Sequence, residues 1–280
     1  MSAIKTMLPI LEEVRRLTVS SVVSPHDRMM QSAVVNQQHY YYVGRSNLLT
    51  VLNVLSIRSS YRGGGDPVQD IFDFGCGYGR VARWFRAALP NSHLHVTDLD
   101  RSAVEFCVQN FGCLPATGPI PPASFDLVWL GSVFTHLPAT AAALMIDHLL
   151  ASLRPNGVII FTSQGRYSIE RMKGYDWAND SRAWMHYNLD RERFETLAQQ
   201  YHQTGYGYVD YPGQKDYGVC VAQPTWYGQR ILKSDAFLQI LLQEKGSDNH
   251  QDVSAFMRAP LLDSSRGPLW HLASQVSAAK

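Results

Sequence analysis

Three glycines stand at alternate positions in IFDFGCGYGRVARWF, residues 71–85, with Asp73 just ahead of them. Gly75, Gly77 and Gly79 follow an apolar run and precede a helix-like pattern. Glycine adopts backbone angles closed to other residues and lets the main chain approach a ligand with no Cβ in the way. Such a turn between a strand and a helix reads as a cofactor loop; the plainer alternative is a turn that only packs helix on strand. The dinucleotide pattern G-x-G-x-x-G fits poorly, because the third glycine comes one residue early and Arg80 occupies the last glycine position. The phosphate-loop signature is absent. A second acid, Asp98 in VTDLD, follows Gly77 by about 20 residues, the spacing at which a carboxylate meets a ribose. Asp100 reads as the cap of the next helix.

These residues need a frame, and the chain supplies one. Strand patterns at 68–74, 93–99, 125–132 and 158–164 alternate with helix patterns at 79–89, 100–112 and 139–153, with RPNG turning the chain into the fourth strand. That alternation with short connections argues for a parallel α/β sheet. A loop at 59–67 (SSYRGGGDP) separates it from a mostly helical N-terminal part. A helix is expected at 190–205, then strands at 217–224 and 237–244 closing one sheet edge, with antiparallel pairing.

The spacing D-x-G-x-G-x-G resembles motif I of the class I S-adenosylmethionine-dependent methyltransferases. FDLVWLGSVFTHL and LRPNGVIIFTSQG resemble that family's fourth and fifth strands. The resemblance covers about residues 68–165 by motif and extends to about 258 if the late strands are the sixth and seventh. It implies an α/β, Rossmann-like fold: a seven-stranded, mostly parallel sheet with helices on both faces, the last strand antiparallel, and a helical N-terminal cover. The implied division is 1–62 for the cover, 63–258 for the methyltransferase domain and 259–280 for a peripheral tail. It implies S-adenosylmethionine as cofactor, held by Asp73, Gly75, Cys76, Gly77, Tyr78 and Gly79, with Asp98 on the ribose and Leu99 beside it. Thr117 and Gly118 fall in the adenine loop, which lacks the family's usual acid. Gly131 and Ser132 end the fourth strand, and Ser132 and Phe134 are expected to shape the pocket near the sulfonium. Arg45 is a candidate partner of the cofactor carboxylate, with Tyr41 or a neighbouring tyrosine closing the site; a surface arginine beside an aromatic cluster is the alternative. The order DFGCGYGRVARW, FDLVWLGSVFTHL, YGYVDYPG, DNHQDV also resembles bacterial methyltransferases associated with cell-surface polysaccharides.

For an oxygen acceptor the protein must help remove a proton. His136 follows the fourth strand where the methyl group is expected; a helix-start histidine without catalytic duty is the alternative. His250 and Asp252, in SDNHQDV (247–253), form a second candidate base with an orienting carboxylate, or else a solvated turn. The tyrosines of GYGYVDYPGQKDYG (205–218) suit stacking on a sugar or a flat ring, and equally edge-strand packing. The Asn-Pro-Pro-Tyr and Pro-Cys motifs of base methylation are missing after the fourth strand. The expected reaction is O-methylation of a sugar or small molecule. A protein or RNA methyltransferase and a non-catalytic cofactor-binding subunit remain the rivals.

Composition narrows this further. A formal net charge of +1 over 280 residues disfavours nucleic acid, whose binding leans on basic surface. The four cysteines form no CxxC pair and no metal-ligating set, which points to free thiols in a reducing cytoplasm. No apolar stretch approaches the ~20 residues of a membrane span.

Overall fold

The computed structural model describes residues 2–30, 34–62, 67–177 and 189–259. Two helices open it, α1 (Ser2–Arg16) and α2 (Val34–Arg62). Then β1 (Asp70–Phe74), α3 (Ala82–Ala88), β2 (His93–Thr97), α4 (Arg101–Phe111), β3 (Leu114–Pro115), β4 (Phe125–Leu130), α5 (Ala139–Ser152) and β5 (Leu153–Ser163) follow in alternation. The C-terminal part adds α6 (Arg166–Lys173), α7 (Arg191–Thr204), β6 (Tyr206–Asp210), β7 (Gly218–Ala222), α8 (Pro224–Ile231), β8 (Phe237–Ser247) and β9 (Gln251–Arg258).

The main sheet has seven strands in the order β3-β2-β1-β4-β5-β9-β8. The first five are parallel; β9 runs antiparallel to both β5 and β8. This is the expected mostly parallel sheet. Strands buried on both faces read as continuous apolar runs, and β4 is buried at every position. On one face Ile71, Val96, Trp129 and Ile160 pack against α2, α3 and α4 through Leu48, Val51, Phe85 and Cys107. On the other, Phe72, Val128 and Phe161 pack against α5 and α8 through Ile146, Leu149 and Tyr227. Local signals set the helix ends. Asp100 caps α4 by accepting from Ser102 N, and Gly112 closes it in the left-handed region. Asp190 and Gly205 do the same for α7.

At the amino ends of the parallel strands, Arg154 bridges Asp70 (2.8 Å) and Asp126 (2.9 Å), and Asp70 also meets His93 at 3.0 Å. The chemistry-bearing residues gather at the opposite end, where the strand order reverses between β1 and β4.

Three expectations need correction. The segment 217–224 does not join the main sheet: β7 pairs with β6 in a separate two-stranded sheet. The seventh main strand is instead β9, whose first residues, Gln251 and Asp252, had read as part of a polar cluster. The helix α2 runs on to Arg62, so the expected loop begins later, and its residues 63–66 lie outside the described residues. The expected tail lies outside them from residue 260. No described helix is long and apolar enough to cross a membrane.

Candidate cofactor and acceptor site

After β1 the chain turns through Gly75 (φ 81°), Gly77 (φ 50°) and Gly79 (φ 79°). All three lie in the left-handed region that favours glycine. The turn is tied to the end of β2, because Gly75 N and Cys76 N both donate to Thr97 O, at 2.9 and 3.1 Å. A Cβ on Gly75 would come within 2.6 Å of Val133, and one on Gly79 would drive into the Phe111 ring. A Cβ on Gly77 would meet nothing within 4 Å. Two glycines therefore permit packing, and the middle one borders open space.

One acid borders that space, and a second lies buried just before the turn. Asp98 accepts from Gly77 N at 2.8 Å and from Asp100 N at 2.9 Å, one hydrogen bond on each oxygen. A carboxylate oxygen accepts more than one bond, so both retain capacity. Asp73 is 1% exposed, and its Oδ2 has no partner among the described residues. Burial, and next the charge of Asp98, push its carboxyl up to about 8. A buried carboxyl oxygen without a donor is a costly group that a bound cation or donor would satisfy.

The other expected members of the turn have structural partners. Tyr78 places its hydroxyl 2.9 Å from Asp100 and 2.7 Å from Ser102, propping the turn against α4. Cys76 is buried beside Cys107, which pushes its thiol far up, and Cys107 Sγ donates to Gly77 O. All four cysteines are free and buried. Leu99 is 92% exposed at the mouth of the turn. Thr117 and Gly118 are exposed in the loop after β3, and Gly118 has φ 91°.

The ends of β4 and β5 form the second wall. Gly131 leads into Ser132, held at φ 61°. Ser132 N donates to Thr162 Oγ1 (2.7 Å), and both hydroxyls donate to Gln251 Oε1, at 3.0 and 2.6 Å. Gln251 thus locks the β4 loop to β5, a role no motif announced. Phe134 was expected in the pocket; it lies instead in the core, on Phe161 and Tyr227.

Above these strand ends lies the β6–β7 hairpin. The outer edge of β7 is paired with loops: Gly218 N donates to His136 O (3.0 Å), Cys220 N to Thr135 O (2.9 Å) and Ala222 N to Gln164 O (2.8 Å). The hairpin therefore roofs the carboxyl ends of β4 and β5. His136 sits under it, stacked on Tyr217 at 5.1 Å, with Nδ1 3.0 Å from Gly218 O and 3.1 Å from Tyr211 OH. Nδ1–H donating to that carbonyl leaves Nε2 with a free lone pair. Burial lowers the His136 pKa, with the Gly218 contact opposing. The phenol of Tyr217 is raised by burial and next by the charge of Asp98.

The expected His250–Asp252 pair does not form. His250 Nδ1 contacts the Asp248 carbonyl at 2.9 Å, while Asp252 Oδ1 accepts from Lys245 N at 2.9 Å. The split arises because His250 lies in the turn before β9, whereas Asp252 pairs with Ser163 inside the sheet and its carboxylate packs on Gly165. Burial raises its pKa. The turn at 248–250 docks on α2, where His39 Nε2 meets Asp248 Oδ2 at 3.1 Å.

On α2, Arg45 is exposed, with no hydrogen bond or ion pair among the described residues, whereas Gly44 faces α3. Tyr41 is half-buried and takes a 3.4 Å contact from Arg83. Arg83 is 1% exposed and donates to Gly79 O, Ser20 O, Val22 O and Tyr40 OH. It fastens the N-terminal segment to the glycine turn. Among the described residues no group of three or more His, Cys, Asp or Glu could hold a metal.

Residues 72–159 match the family model described as a methyltransferase domain. The match runs from β1 into β5 and takes in the glycine turn, Asp98 and the β4 loop, so this chain carries a methyltransferase domain on a Rossmann-like sheet. No curated protein matches the chain. The PH0226 protein from Pyrococcus horikoshii OT3 shares the fold at a TM-score of 0.52 and 11% identity, over 84% of this chain and 96% of that one. Looser likenesses include magnesium protoporphyrin IX methyltransferase from Synechocystis PCC 6803 with bound SAH (TM-score 0.48, 14% identity, 82% and 89% covered). The N-methyltransferase NodS from Bradyrhizobium japonicum WM9, in complex with SAH, is another (TM-score 0.45, 13% identity, 88% and 97% covered).

Proposed function

We propose that this chain is a cytoplasmic S-adenosylmethionine-dependent methyltransferase acting on a hydroxyl of a sugar or another small molecule. The observation that carries the reading is the open space at Gly77 beside the carboxylate of Asp98, with the buried, unpartnered oxygen of Asp73 at the end of β1 just ahead of it. The residues fit the cofactor. Asp98 would take the two ribose hydroxyls, and Asp73 its ammonium group. Leu99 would cover the adenine, with Thr117 and Gly118 along its edge. Residues 1–62 would serve as the cover and 63–258 as the catalytic unit, with 259–280 as a tail. When bound, the sulfonium supplies an activated methyl group.

The chain's own residues do the rest. The hairpin roof excludes water from the strand ends. His136 is held neutral by burial, and its Nε2 would take the proton of the acceptor hydroxyl. Tyr211 and Tyr217 offer aromatic faces beside that base, suiting a sugar or flat-ring acceptor. The net charge of +1 weighs against nucleic acid. The test is transfer of label from methyl-tritiated S-adenosylmethionine to fractionated acceptor pools. Label in the sugar or small-molecule fraction, abolished in His136→Gln, supports the reading. Label in protein or RNA, or no transfer by a protein that binds the cofactor, contradicts it.

A further inference from the structure

We infer that Arg80 is the anchor for the carboxylate at the amino-acid end of the cofactor; this rests on the cofactor reading above. Arg80 directly follows Gly79, and α2 crosses it so closely that a Cβ on Gly44 would strike the Arg80 carbonyl. Its side chain is half-buried, yet its guanidinium makes no hydrogen bond and no ion pair among the described residues. Burial lowers its pKa, against the opposing pull of Tyr40, Asp248 and Asp27.

The groups that face it are engaged elsewhere. Asp27 accepts from Tyr40 OH (2.8 Å) and Met29 N (3.0 Å), and Asp248 is held by His39. Arg83, less than one turn further on, is the contrast: it is buried and satisfied by backbone and tyrosine oxygens. Arg83 thus ties α2 and the N-terminal segment to the glycine turn without help from Arg80.

An unpaired guanidinium in a desolvated place is unfavourable until an anion arrives. The turn itself offers only acids to a ligand, Asp73 and Asp98. They suit an ammonium and two hydroxyls and offer no positive charge to a carboxylate. A zwitterionic amino acid needs one cation there. Arginine supplies a planar fork that binds carboxylate in bidentate fashion. Arg45, exposed on α2, has no burial for an anion to offset.

The test compares two ligands on the full chain by calorimetry. S-adenosylhomocysteine carries the carboxylate; 5′-methylthioadenosine lacks the amino-acid group. Arg80→Gln is expected to weaken S-adenosylhomocysteine about 10- to 100-fold, the loss of a charge-assisted pair. Methylthioadenosine affinity should stay within about twofold on the same grounds. Arg80→Lys keeps the charge without the fork and should lose several-fold for the first ligand only; it carries the test alone if Arg80→Gln does not fold. Unchanged S-adenosylhomocysteine affinity, or equal loss for both ligands, overturns the assignment of Arg80. Failure of the unmodified protein to bind either ligand is a different result and overturns the cofactor reading beneath it.

Discussion

Replacing Asp73 with asparagine should make the protein more stable and a poorer binder of its cofactor. The carboxyl is 1% exposed, and burial with the Asp98 charge moves it from 3.8 up to about 8. Below pH 3.8 it is protonated in the folded and unfolded chains alike and carries no penalty. As pH rises, the unfolded chain gains the free energy of ionisation while the folded chain stays protonated until pH passes 8. At about 1.4 kcal/mol per pH unit, the penalty is about 4 kcal/mol at pH 7 and about 5 kcal/mol at pH 8, against about 1.6 kcal/mol at pH 5. Asparagine keeps the shape and carries no such linkage. Its amide carries two N–H donors where the protonated carboxyl carries one O–H, so one extra unpaired donor subtracts about 1–3 kcal/mol at every pH. Denaturant titration of Asp73→Asn and the unmodified chain at pH 5 and pH 8 should show the variant gaining stability relative to the unmodified chain as pH rises, with net stabilisation at pH 8. The same variant should lose affinity for S-adenosylhomocysteine, a site that gives up stability for function. A variant destabilised at pH 8, or a gap that does not change with pH, would refute the reasoning.

Other perturbations separate packing from function. Gly79→Ala meets the Phe111 ring at a positive φ and should lose about 2–4 kcal/mol in a thermal melt. Gly77→Ala meets open space and should lose only about 1 kcal/mol of stability, yet show sharply weaker cofactor binding by calorimetry. His136→Gln should cut turnover at least about 100-fold with cofactor affinity unchanged. Since burial lowers the imidazole pKa, the acid limb of kcat/KM in the unmodified enzyme should fall below 6.5. Arg154→Ala removes the cation that Asp70 and Asp126 share, leaving Asp70 to His93 and Asp126 to the Gln69 and Asp70 amides, and should cost about 1–3 kcal/mol at pH 7 in urea titration. The Arg154 and His93 contacts hold the Asp70 carboxyl low against burial, so that stabilisation is present above 3.8 and fades as pH falls through the folded value.

From β1 to β5 every strand but the two-residue β3 was legible, because each carries its own signal. Apolar runs mark the strands, Asp100 and Gly112 bound α4, and the glycines need left-handed backbone. In the later half α7 and the edge strand β8 fall where expected, but the place of 217–224 and the strand β9 do not follow from the sequence. GVCVA is fully buried and reads like a sheet strand, but its outer edge pairs with loop carbonyls at Thr135, His136 and Gln164. Nothing in the segment itself announces partners so distant in sequence. Strand β9 was missed for the opposite reason. Gln251 and Asp252 look like solvent-facing turn residues, but Gln251 is buried under two hydroxyls and Asp252 sits beside Ser163. Arg80 stood out only as a departure from the dinucleotide pattern; its unpaired state is visible only once α2 and the 248–250 turn are placed around it.

The most direct test of the central claim is calorimetric titration of the full chain with S-adenosylhomocysteine, repeated on Asp98→Ala. Micromolar binding to the unmodified protein is expected, weakened by about 1.5–3 kcal/mol in the variant, which removes a charged acceptor from the ribose hydroxyls. No binding by the folded, unmodified protein would contradict the account; equal binding by Asp98→Ala would contradict the ribose assignment on which it is built.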